Sequence, residues 1–329
     1  MNLQIIQADP LEILSSTRSM IEKAQFVSIH ETALDPLADR IVERFGNGLD
    51  KRKLGFDSIG DLDENLQLIF IEDAVNFCFW PSKGQPKWEV EWPTGNIVSG
   101  GWYGLVACFR RGLAEQIPIL DAGYLSTMAM DEARKFFRGT NDIDIPLLQE
   151  RTDNLREAGK VLIEKFNGRF SNVLKIYGYG SVDIVNAITD NFPSFRDVSL
   201  WRGQEVKFLK RAQICSNDLA YALKGTEHEI VKLDQLTAYA DYKLPQILRE
   251  FGVLEYEDPL AEKVDNLIEI PHDSIEEIEI RAATVWAVEL LRQRIGKLTA
   301  GEIDNTLWFM SQKMEGEPRP YHRTRTIFY

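Results

Sequence analysis

Cysteine is almost missing from this sequence: Cys78, Cys108 and Cys215 are the three in 329 residues, far apart in apolar or mixed surroundings. That excludes a disulfide framework and offers no zinc-site spacing, so buried free thiols are expected. No apolar run approaches the length needed to span a bilayer, and the start, MNLQIIQADP, has neither the basic region nor the apolar core of a signal peptide. A cytoplasmic protein without a membrane partner is the expectation. Basic charge is also short: 38 Lys and Arg against 51 Asp and Glu give a net charge of −13, which opposes binding along a nucleic-acid polymer. No GxxxxGK[ST], GxGxxG after a strand, HExxH or GxSxG occurs, and no repeat, low-complexity tract or Gly/Ser linker marks a boundary. A single compact unit over 1–329 is expected, with a β-containing part over 1–115 and a helical part over 116–329.

With 44% hydrophobic and 10% aromatic residues, the chain can bury a sizeable core. Its fold class reads as mainly α with a small β-hairpin element. Lys87 to Trp92 alternates polar with apolar, and Pro93-Thr94-Gly95-Asn96 supplies a turn before Ile97-Val98, which predicts a hairpin. Spacings of three and four predict helices over Leu34–Phe45, from Leu105 to Leu113, and over Met128–Arg138. Pro146 is placed for the first turn of a helix with the stripe Leu148, Leu155, Ala158, Leu162 and Phe166, closing at Asn167-Gly168. Ser274 with Glu277 predicts a capping box, followed by an apolar face at Ile280, Ala283, Ala287, Leu291 and Ile295 before Gly296.

Four segments set polar residues among aromatic ones, as a site for a flat heterocycle requires: ring faces stack on the ligand and convergent polar groups read its edge. In Asp73-Ala74-Val75-Asn76-Phe77-Cys78-Phe79-Trp80, Asp73 and Asn76 read either as edge contacts or as helix caps, and the aromatics either as a stacking face or as core. Ser99-Gly100-Gly101-Trp102-Tyr103 permits close backbone approach, or merely punctuates a hairpin-to-helix passage. Asp241 lies between Tyr239 and Tyr242 ahead of Leu244-Pro245, with Lys210 and Arg211 upstream; it is either a reacting carboxylate or an ordinary charge at a helix start. At the C-terminal end, His322, Arg323 and Arg325 stand in a stretch without acidic side chains, suited to one small anion or to a solvated basic tail.

Seven stretches carry a likeness: DAVNFCFW (73–80), SGGWYGL (99–105), NFPSFRDV (191–198), VKFLKRAQI (206–214), TAYADYKLPQIL (237–248), EIEIRAATVWAVELL (277–291) and PYHRTRTIFY (320–329). Together they resemble the queuosine salvage proteins, the queuosine 5′-phosphate N-glycosylase family. The resemblance implies a fold like that of the helix-hairpin-helix DNA glycosylases and hydrolysis of queuosine 5′-monophosphate to release queuine, a 7-deazaguanine, for return to tRNA. It implies Asp241 as the catalytic aspartate and Lys210 as a lysine of the active centre. It also implies that DAVNFCFW, with Asp73, Asn76, Phe77 and Trp80, forms part of a base pocket, to which Trp102 is expected to add a ring; the substrate is expected to be a small nucleotide, and the chemistry requires no metal or cofactor. Asp73 is expected to orient the base from N1–H and the 2-amino group, and His322, Arg323 and Arg325 to hold the 5′-phosphate. LPQ at 244–246 lacks the glycines of the glycosylase hairpin, so a DNA-backbone grip is not implied. The alternative function is a queuine- or queuosine-binding protein without turnover.

Overall fold

The computed structural model describes residues 3–46, 58–314 and 316–329, and the chain is mainly helical. In order, its elements are α1 (Ile13–Ile21), β1 (Val27–Ile29), α2 (Leu34–Gly46), α3 (Leu62–Ala74), β2 (Glu89–Glu91), β3 (Ile97–Ser99) and α4 (Gly101–Ala114). Next come α5 (Ala122–Thr127), α6 (Met130–Phe136), α7 (Leu148–Phe166), α8 (Ser171–Tyr177), α9 (Ser181–Asn191), β4 (Val198–Trp201) and β5 (Gln204–Lys207). The last are α10 (Lys210–Leu223), α11 (Lys243–Glu250), β6 (Leu254–Tyr256), α12 (Asp258–Asp265), α13 (Ile275–Ile295) and α14 (Ala300–Ser311). No helix among the described residues is long and apolar enough to cross a membrane.

The expected hairpin forms, with Val90 opposite Val98, and Glu91 steadies its turn by accepting from the Gly95 N–H at 2.7 Å. Strands are not confined to 1–115, however. β4 and β5 make a second hairpin closed by Arg202-Gly203, both at positive φ, the backbone of a tight two-residue turn. Arginine carries no turn signal, which is why periodicity alone missed it. The third pair, β1 with β6, joins residues 27–29 to 254–256 and so ties the two halves of the chain together.

Helix ends follow local chemistry with two departures. The helix expected over 128–138 is shorter, Met130–Phe136, and begins where Glu132 accepts from the Ala129 N–H at 2.7 Å, with a separate α5 ending before Met128. Pro146 lies ahead of α7, because Leu147 takes a left-handed φ of 56° at the helix entrance. Ser274 does cap α13, accepting from the Glu277 N–H at 3.2 Å. The Glu277 carboxylate turns elsewhere, to the Asp273 N–H and the Tyr329 hydroxyl.

α13 is buried on every side from Glu277 to Leu291, not on one face alone. Its charges are therefore paired: Glu279 accepts from the Phe26 N–H at 2.7 Å, and Glu289 from Arg292 at 2.7 Å. Around this central helix α1, α2, α11 and α14 pack, while α10 lies against α3 and α9. Phe70 of α3 stacks on Phe170 at 4.3 Å between ring centres, part of the continuous core behind the site.

Candidate functional site

A cavity opens where the start of α10, the loop before α11, and α14 meet the 76–79 segment. Leu209 at a left-handed φ of 50° turns the chain into α10, and the Lys210 N–H donates to Asp197 Oδ2 at 3.1 Å. The Lys210 side chain is buried and lines the cavity, its ammonium 3.4 Å from the Asn76 carbonyl. Burial pulls its pKa down, while Asp241 and Asp73 pull the other way. Asp241 is half-buried on the same cavity, with Oδ1 accepting from the Lys243 and Leu244 N–H groups at 2.7 and 2.9 Å. The reading of Asp241 as a charge at a helix start is met through Oδ1, and both of these backbone donors use that one oxygen. Burial raises its pKa, and Lys210 with the two backbone donors offsets this.

One residue locks these two segments together. Arg281 of α13 makes a buried two-pronged pair with Asp197, at 2.8 and 2.6 Å, and its Nε donates to the Ala240 carbonyl at 3.1 Å. Asp197 lies just ahead of β4 and holds Lys210, and Ala240 adjoins Asp241, so the lysine and the carboxylate share one rigid support.

The walls are aromatic and polar. Phe77 and Trp102 line the cavity, with Phe77 backed by the Arg151 and Arg211 guanidiniums at 4.3 and 5.2 Å. Asn76 lines it too, its amide donating to Asp73 Oδ1 at 3.2 Å. Asp73 itself is sealed behind the wall and is not part of the cavity lining; it supports Asn76, and burial pushes its pKa up to about 7. Sequence reasoning missed further polar lining groups, chiefly Asp218, Asp304 and Asn305, and had Tyr239 only as a neighbour of Asp241. Asp304 accepts from the Tyr239 N–H at 2.7 Å, and burial with the nearby Asp241 charge raises its pKa well above the usual carboxyl range. Only Asp218 had a visible signal, since Lys210, Ile214 and Asp218 follow the four-residue spacing of one helix face.

The basic side chains of the tail do not line this cavity. His322 is buried against the Tyr329 hydroxyl at 3.3 Å, and burial beside Arg281 pushes its pKa down to about 3, so it brings no charge. Arg323 donates to the Pro81 carbonyl at 3.1 Å, and Arg325 pairs with Glu269 at 2.9 Å. Trp80, expected as a stacking face for the base, carries these guanidiniums on its ring, Arg325 at 4.6 Å and Arg323 at 5.5 Å. It borders a neighbouring cleft that continues from the cavity past Trp102 and Lys243 to Lys87, Gly100 and Gly101. Of the tail, Tyr329 alone lines the main cavity.

Comparison with known proteins adds the family. A model described as queuosine salvage protein matches residues 58–329. A queuosine 5′-phosphate N-glycosylase/hydrolase of Sphaerobacter thermophilus is 41% identical, over 98% of this chain and 98% of its own. Proteins of the same name from Bos taurus and Dictyostelium discoideum are 32% and 37% identical, covering 95% and 79% of this chain and 97% and 77% of theirs.

Proposed function

The chain belongs to the queuosine salvage protein family, and we propose that it hydrolyses the N-glycosidic bond of queuosine 5′-monophosphate in the cytoplasm, releasing queuine for return to tRNA. The observation that carries this reading is the half-buried Asp241 carboxylate sharing with the Lys210 ammonium a cavity walled by Phe77 and Trp102.

Breaking this bond makes the ribose C1′ cation-like, and a preorganised carboxylate stabilises that charge and orients the attacking water. Asp241 supplies it. Its hydrogen bonds to the start of α11 fix its direction, and Lys210 favours the ionised form. The leaving base has carbon in place of N7, so charge collecting on it must be met elsewhere. Asp304 lines the cavity with its pKa raised well above the usual carboxyl range by burial and the Asp241 charge, which favours the protonated carboxyl that can donate a hydrogen bond to that charge. Asn76, Phe77 and Trp102 hold the base, and Asp73 holds Asn76. The neighbouring cleft, with Lys87, Lys243 and the close approach that Gly100 and Gly101 permit, suits the 5′-phosphate. Asp241 at the entry to a short helix in a helical frame fits the helix-hairpin-helix glycosylase likeness, adapted to a small nucleotide.

Purified protein incubated with queuosine 5′-monophosphate should liberate free queuine. Asp241→Asn, nearly the same in size, should lower the rate by about 10²-fold or more while remaining folded. Tight binding of the nucleotide without any release would instead make this a binding protein, and a near wild-type rate for the Asn variant would remove Asp241 from catalysis.

A further inference from the structure

Three carboxyl groups line the cavity, and catalysis as described employs Asp241 and Asp304. Asp218 is left over. It stands on the face of α10 that carries Lys210 and Ile214, about 12 Å along the helix axis from the lysine. Its side chain is 5% exposed, and the hydrogen bond it accepts from the Asn217 amide is long, at 3.4 Å. Acid outweighs base around it: burial raises its pKa most, Asp73 and Glu72 raise it further, and Lys210 opposes them. A carboxyl so placed on a ligand wall lacks a cation.

Neutral polar groups flank it. Asn305 lines the same cavity and donates to the Tyr221 hydroxyl at 3.0 Å. The Tyr239 hydroxyl, fully buried on that cavity, has no hydrogen-bond partner in the structure. Queuine differs from guanine in having carbon at position 7, and that carbon bears, through a methylene, a secondary amine that is cationic at neutral pH and carries a cyclopentenediol. A carboxylate beside amide and hydroxyl groups is the complement of an ammonium beside two hydroxyls. Resting on the functional reading above, we infer that Asp218 determines specificity: it pairs with the exocyclic ammonium, while Asn305 and the Tyr239 hydroxyl take the diol. The N1–H and 2-amino edge is a weaker claimant, because neutral donors gain less from a full charge than a desolvated ammonium does.

The test compares queuosine 5′-monophosphate with 7-aminomethyl-7-deazaguanosine 5′-monophosphate, which keeps the amine, and 7-deazaguanosine 5′-monophosphate, which lacks it. Wild-type kcat/KM should favour both amine-bearing nucleotides over the third by about 10²-fold, the scale of a charge-assisted hydrogen bond. Asp218→Asn should bring that ratio close to one. Should the variant fold poorly, wild-type affinity for free queuine against free 7-deazaguanine reads the same preference. A wild-type enzyme indifferent to the amine, or an Asn variant that keeps the ratio or loses equally on all three nucleotides, overturns the assignment alone. Wild-type protein that releases no queuine from queuosine 5′-monophosphate defeats the functional proposal, and this one with it.

Discussion

Asp73 has one carboxylate oxygen on the Asn76 amide and the other sealed in the core without a hydrogen-bond partner. Burial pushes its pKa up to about 7 against an ordinary value near 4, with Lys210 and Arg211 offsetting part of the rise. Between those values the folded protein holds a proton that the unfolded chain releases, so the stability linked to Asp73 is present at low pH and lost as pH rises through about 7. Asp73→Asn cannot titrate. The stability of wild type minus that of the variant should therefore fall steadily from about pH 5 to about pH 8, which urea unfolding of both proteins checks. His322, depressed in the folded state and opposite in sign, is common to both and cancels. A difference that grows with pH would mean that the neighbouring cations stabilise the Asp73 charge outright. The sequence placed this residue beside aromatics but could not tell which side of the wall it faces. Asp241 shows the converse, because its place at a helix start was legible and the same residue lies on the cavity wall, where the proposed role needs it.

Among the elements, α13 does most to assemble the site through Arg281, which grips Asp197 ahead of β4 and the Ala240 carbonyl before α11. Removing one partner of a buried pair leaves the other uncompensated. Arg281→Met should thus cost about 3–5 kcal/mol of stability. Arg281→Lys keeps charge but not the fork and should cost about 1–3 kcal/mol, with kcat falling more than KM changes as Lys210 and Asp241 lose register. Denaturation midpoints and steady-state kinetics below the melting range test both. Unchanged midpoint and kcat in the Lys variant would show that the segments hold themselves. The helical period of α13 was readable in the sequence, but its all-round burial was not, since buried Glu279, Arg281 and Glu289 look like a solvated face until their partners are known. The β4–β5 hairpin was missed because Arg202-Gly203 is a poor turn signal, and Asp304 because nothing near it in sequence points to Asp241.

At the scale of the whole molecule, a net charge of −13 argued for a small anion over a polymer, and the location of that anion turns on what the tail does. Residues 320–329 run as a strap: the Arg323 carbonyl accepts from the Ile270 N–H at 2.7 Å, the Tyr329 carbonyl from the Cys78 N–H at 2.8 Å, and the Tyr329 hydroxyl donates to Glu277 at 2.9 Å. Arg323 and Arg325 close this strap over Trp80, and Glu269 neutralises Arg325. The sequence showed two arginines without acidic neighbours, but the neutralising carboxylate lies 56 residues away in the chain and was invisible locally. Because the Arg325 pair is partly open to water, Arg325→Ala should cost at most about 1 kcal/mol and leave the preference for 5′-monophosphate over nucleoside unchanged. Lys87→Ala and Lys243→Ala, in the cleft that adjoins the Asp241 cavity, should lower kcat/KM on the monophosphate by about tenfold while sparing the unphosphorylated nucleoside. Salt separates the cases further: screening should weaken the phosphate preference of wild type and have little left to weaken in the double lysine variant. If Arg325→Ala instead erases the preference for the monophosphate at unchanged melting temperature, the phosphate lies with the tail and the cleft must take another part of the substrate.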